Sequence, residues 1–122
     1  YRPVPDEVLL VLPDTRLRAF VLAHLQEEGY QVVAVPDFGA ARRLLARGLR
    51  PRVVVAELAA ASDPELQGLA RSGVAVLVVS GQLDRGRAAR LGLPYVLRPF
   101  TVGQLVERVR SLGARPKAPP RP

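Results

Sequence analysis

The stretch Arg50-Pro51-Arg52-Val53-Val54-Val55-Ala56-Glu57-Leu58 decides the fold. Gly48 and Pro51 end the preceding segment, four apolar residues follow in a row, and the run stops on a carboxylate. A short continuous apolar run marks a strand buried on both faces, the pattern of a parallel sheet covered by helices. Glu57 is then delivered to the edge of the sheet at the carboxyl end of its strand.

The same reading extends in both directions. Upstream, Val8-Leu9-Leu10-Val11-Leu12 is another buried strand, and Asp14 offers a helix N-cap whose carboxylate accepts from orphan amides. Leu17, Phe20, Val21 and Leu25 form the inward stripe of that first helix, and Gly29 ends it as a left-handed C-cap. Gln31 to Val35 is the second strand, and Asp37 caps a second helix that points Ala41, Leu44 and Leu45 inward.

Downstream, Ser62-Asp63-Pro64-Glu65 is a helix start with a cap, a first-turn proline and a dipole-favoured acid. The third helix ends near Gly73, and Val74 to Val79 is the fourth strand. An arginine-rich helix spans about Leu83 to Leu91, Tyr95-Val96-Leu97 is a fifth strand, and Thr101 caps a last helix. Val102, Leu105, Val109 and Leu112 make the apolar stripe of that helix. Five strands alternating with five helices predict an α/β, doubly wound parallel sheet, flavodoxin-like, with strand order 2-1-3-4-5. The strand ends bring Leu12, Pro13 and Asp14, then Glu57, Ser80 and Arg98, to one edge, where such folds keep their functional crevice.

Composition bounds the possibilities. At 122 residues and 48% hydrophobic content, the chain suits one domain with one core. Residues 1–6 read as a lead-in, 7–112 as the domain, and 113–122 as a proline-rich basic tail or linker. The absence of methionine, initiator included, leads us to expect a fragment of a longer product. With no cysteine, disulfides and thiol chemistry are excluded. No apolar run approaches the roughly 18 residues of a membrane span, and no cleavable leader is visible, so a cytoplasmic protein is expected.

The formal charge is +7, of which Arg115, Lys117 and Arg121 in the tail supply three, leaving +4 elsewhere. All but Lys117 of the 18 basic residues are arginine. No stripe of arginines interleaved with aromatics accompanies the charge, which argues against nucleic-acid binding by this domain. No glycine-rich phosphate loop follows the first strand, which argues against a nucleotide or flavin.

In order and spacing, four segments together resemble the receiver domain of two-component response regulators. These are Leu25-Gln26-Glu27-Glu28-Gly29-Tyr30, the Arg50 to Leu58 segment, Val76-Leu77-Val78-Val79-Ser80-Gly81, and Tyr95-Val96-Leu97-Arg98-Pro99-Phe100. The resemblance implies a phosphoacceptor aspartate at position 57, an acidic pair at 12 and 13 that holds magnesium with it, and a lysine at 98. It further implies a hydroxyl at 80, an aromatic switch at 95, and a cis bond before Pro99. The metal would neutralise charge on the incoming phosphoryl group.

This chain departs from that pattern where the chemistry lies. Leu12 and Pro13 cannot ligate a cation, and Asp14 is better used as the helix cap. Glu57 displaces its carboxylate by about one methylene, and a misplacement of that size costs about 100-fold even in an intact site. Arg98 substitutes a planar fork suited to carboxylates. The expectation is an atypical, unphosphorylated, non-enzymatic receiver with no cofactor and its magnesium site lost, in which Glu57 pairs with Arg98 and Ser80. Plainer readings stand beside it: Glu57 as a solvated strand end, Ser80 as a turn cap, Tyr95 as a half-buried edge aromatic. His24 lacks partners for a relay or metal role.

An active phosphorelay receiver with unusual chemistry is the alternative, as is a module for a small anion or nucleic acid. Contacts are expected through the face of the fourth helix, fifth strand and fifth helix, with Arg87, Arg90, Leu105, Arg108 and Val109. The occupant would be a protein partner, an output domain of the same protein or a second copy, and no membrane. Facing arginines disfavour the second copy.

Overall fold

A computed structural model describes residues 7–113, so the lead-in 1–6 and the tail from 114 onward lie outside the described residues. Strands β1 (Glu7–Val11), β2 (Gln31–Val35), β3 (Pro51–Glu57), β4 (Ala75–Ser80) and β5 (Tyr95–Leu97) alternate with helices. The helices are α1 (Thr15–Glu27), α2 (Phe38–Ala46), α3 (Asp63–Arg71), α4 (Arg85–Leu91) and α5 (Val102–Ser111). Short 3-10 turns, Leu58–Ala60 and Gln82–Asp84, precede α3 and α4. All strand pairings are parallel and the sheet order is β2-β1-β3-β4-β5, as the alternation predicts.

The period-two alternation of each buried strand divides the interior into two layers. Val8, Leu10, Val53, Val55, Leu77, Val79 and Val96 face α1 and α5, meeting Val21, Leu25, Leu105, Val106 and Val109. Leu9, Val11, Val54, Ala56, Val76 and Val78 face the other way, onto Phe38, Ala41, Leu66 and Ala88 of α2, α3 and α4. Both layers need a continuous apolar run, which is why Val8 to Val11, Val53 to Ala56 and Val76 to Val79 carry no polar residue.

Local signals set the helix ends. The Asp14 carboxylate accepts from the Leu17 amide at 2.8 Å, and that of Asp37 from the Ala40 amide at 2.8 Å. Ser62 with Glu65, and Thr101 with Gln104, form reciprocal capping boxes. Gly29, at φ 93°, takes the left-handed conformation that closes α1.

Two helical stripes differ from expectation. Phe20 is 58% exposed and flanks the buried line of Val21 and Leu25, where three-and-four spacing had placed it inward. A 13-residue helix packed by one narrow stripe leaves its flanking position to solvent. Leu45 lies outside the core cluster that Leu44 joins.

Candidate functional site

The carboxyl ends of β3, β4 and β5 lie side by side, with β4 in the middle. Glu57 is the last residue of β3, and Arg98 immediately follows β5. The Arg98 side chain therefore reaches across the end of β4 to meet Glu57. Its Nη1 donates to Glu57 Oε2 at 3.0 Å and its Nη2 to Oε1, a two-pronged, charge-assisted pair. The Glu57 side chain is 13% exposed and that of Arg98 41%. The hydrogen bond to Glu57 raises the Arg98 pKa; burial opposes this, and the charges of Glu57 and Asp14 add to it. The solvated reading of Glu57 therefore gives way to a paired one.

The backbone holds Arg98 in place. Its amide donates to the Ser80 carbonyl at 2.9 Å, and its carbonyl accepts from Gln82 Nε2 at 2.8 Å. The Arg98–Pro99 bond is cis, as the resemblance implies, and the guanidinium carbon lies 6.0 Å from the Phe100 ring centroid. Ser80 is fully buried, but its hydroxyl donates to the Gly81 carbonyl at 2.9 Å. The expected trio is thus a pair, because the carbonyl one residue on takes the Ser80 proton. Tyr95 is half-buried and packs on the layer containing Ala88 of α4.

At the end of β1, Leu12 is fully buried, Pro13 is exposed, and the Asp14 carboxylate is engaged in capping α1. Sequence reasoning missed Arg18. Its Nη1 donates to the Leu12 carbonyl at 2.7 Å and the Pro13 carbonyl at 3.3 Å. No sequence signal marks this contact, since its acceptors are backbone carbonyls at the end of β1 and not an acidic side chain.

The proposed interaction face is corrected at three positions. Leu105 and Val109 are fully buried against α1 and the sheet, so they are core. Arg87 turns inward, its Nε 2.7 Å from Asp63 Oδ1 and its Nη groups on the carbonyls of Leu58 and Ala61. A helix packed on a sheet commits its apolar stripe to that sheet, leaving only the opposite side for partners. Arg90 and Arg108 are exposed there, without an ion pair among the described residues. Arg110 instead pairs with Glu107 at 2.8 Å and Glu28 at 3.1 Å. His24 Nε2 lies 4.0 Å from Oε1 of Glu28, the C-cap residue of α1.

No family model and no curated protein matches this sequence. Solved structures do. A response regulator receiver protein from Pseudomonas putida superposes with a TM-score of 0.76 at 23% identity, over 89% of this chain and 98% of that one. One from Burkholderia phymatum gives 0.76 at 19% identity, over 93% and 99%. An orphan response regulator of H. pylori gives 0.69 at 19% identity, over 88% and 95%.

The fold is that of receiver domains.

In this receiver fold the residues at the crevice do not fit a divalent cation. Magnesium needs an octahedron of oxygens, supplied in part by carboxylates. Leu12 and Pro13 have no side-chain oxygen, Asp14 caps its helix, and both Glu57 oxygens hold Arg98. Among the described residues, no three His, Cys, Asp or Glu side chains gather as a metal cluster requires. The guanidiniums of Arg18 and Arg98, set at the ends of β1 and β5, further disfavour a cation. No helix of the described residues is long and apolar enough to cross a membrane.

Proposed function

We propose that this is an atypical receiver domain that works in signal transduction through protein contacts, with Glu57 unphosphorylated and no bound magnesium. The observation that carries this reading is the two-pronged Glu57–Arg98 pair. A carboxylate paired at both oxygens with a guanidinium is a poor nucleophile, and the cation that would draw a phosphoryl group to it lacks the carboxylate set it needs. The pair gives the crevice one permanent state in which an internal acid occupies the arginine. It imitates a phosphorylated site only in part, since a carboxylate carries one negative charge and a phosphoryl group nearly two.

Such a domain is not an enzyme, and its output is the surface it presents. The exposed side of α4 and α5, with Arg90 and Arg108, and the open edge of β5 by Tyr95, Leu97 and Phe100 make the contact face. Its cationic character suits an acidic protein or an acidic domain of the same polypeptide, in the cytoplasm, over a second copy of itself.

Incubation with acetyl phosphate and magnesium, followed by intact mass measurement, tests the chemistry. The mass is expected to stay unchanged. Addition of one phosphoryl group at Glu57 would restore the active phosphorelay reading.

A further inference from the structure

Arg87 lies on α4, yet its guanidinium turns to the segment that follows Glu57. Each of its three nitrogens meets a separate acceptor: Nε the Asp63 carboxylate at 2.7 Å, Nη1 the Leu58 carbonyl at 3.0 Å, Nη2 the Ala61 carbonyl at 2.7 Å. Leu58 directly follows Glu57 and opens the 3-10 turn, and Ala61 caps it. A rigid planar fork satisfied at two carbonyls of one short turn and at the first residue of α3 fixes orientation as well as distance.

These links continue into the site. Glu57 holds Arg98, the Arg98 carbonyl accepts from Gln82, and Gln82 opens the turn that runs into α4. The result is a closed polar circuit around the carboxyl end of β4. It passes from α4 through Arg87 to the turn behind Glu57, on to Arg98, and through Gln82 back to α4. The apolar anchoring of this helix is modest. It has seven residues, its N-cap makes no side-chain hydrogen bond, Ala88 is its one fully buried residue, and only the half-buried Leu91 packs beside it on the core. Burial on that scale supplies limited apolar stabilisation.

We propose that Arg87 is a positioning residue that clamps α4 to the turn behind Glu57, so that the Glu57–Arg98 pair and the placement of α4 form one mechanical unit. The clamp rests on these contacts alone. Only its consequence for a partner, a contact face held in one position, rests on the function proposed above.

Amide hydrogen exchange on the whole chain tests the clamp without any partner or phosphoryl donor, so its failure is separable from failure of that function. In Arg87→Ala, segments 58–63 and 85–91 are expected to exchange about tenfold faster, with α1 and β1 unchanged, as for a local opening. Arg87→Lys, which keeps the charge but serves fewer acceptors, is expected to do the same in part, and it carries the test if the alanine variant does not fold. Asp63→Asn removes the ion pair but spares both carbonyl bonds, and is expected to change exchange at 85–91 by less than about threefold, as for an exposed pair. Glu57→Gln is expected to speed exchange at 85–91 as well. Unchanged exchange at 85–91 in the Arg87 variants, or a uniform rise across the domain, would overturn the clamp. A Glu57→Gln effect confined to residues 98–100 would break its link to the site.

Discussion

Leu105→Ala is expected to destabilise the domain by about 2–5 kcal/mol, the range for emptying a fully buried leucine site. Leu105 is wholly enclosed in the layer formed by α1, α5 and the sheet, beside Val106 and Val109. Its loss removes apolar contact and leaves a cavity between α5 and the strands it covers. Urea unfolding should show a lower midpoint at an unchanged slope, the sign of altered stability with the same exposed area. The same substitution at an exposed contact residue would leave the midpoint within about 0.5 kcal/mol of wild type. An unshifted midpoint would return Leu105 to the interaction face and unseat the packing described for α5.

Arg98→Ala has the second-largest expected effect, about 1–3 kcal/mol, because it strands an acid that is mostly covered. Removing one partner of a deeply buried ion pair costs about 3–5 kcal/mol. The expectation here is lower because the Arg98 side chain is 41% exposed, so water screens the pair and can reach Glu57 once the arginine is gone. The substitution also removes the bulk over Phe100 but keeps the backbone bonds to Ser80 and Gln82. A double-mutant cycle with Glu57→Gln separates these contributions. Coupling is expected: the double variant should lose clearly less than the two single losses added together. Additive losses would mean that the two side chains do not stabilise one another, and the permanently occupied crevice would have no energetic basis.

The sheet was legible because buried parallel strands leave an unmistakable trace. Val53 to Ala56 and Val76 to Val79 admit no amphipathic reading at their length, and caps such as Asp14, Asp37 and Thr101 act over three residues. Glu57 and Arg98 were found because their positions follow from strand ends, and their opposite charges then suggest the pair. Other features depend on distances that sequence spacing does not contain. Arg87 meets carbonyls 26 and 29 residues away, and nothing in an arginine-rich helix distinguishes this residue from its solvated neighbours. Arg18 acts on backbone oxygens, acceptors present at every residue. The Ser80 proton went to the next carbonyl, a local competition that a resemblance between families does not address. On α5, the apolar stripe was read correctly as inward, and Leu105 and Val109 could not also serve the outer face.

In the proposed receiver the Glu57 carboxylate is already taken and the crevice has no place for magnesium. Titration of the isotopically labelled chain with beryllofluoride and magnesium, followed by amide spectra, addresses both halves at once. The spectra are expected to stay unchanged at Glu57, Ser80, Tyr95 and Arg98. New resonances at those four residues that saturate with magnesium would contradict the account.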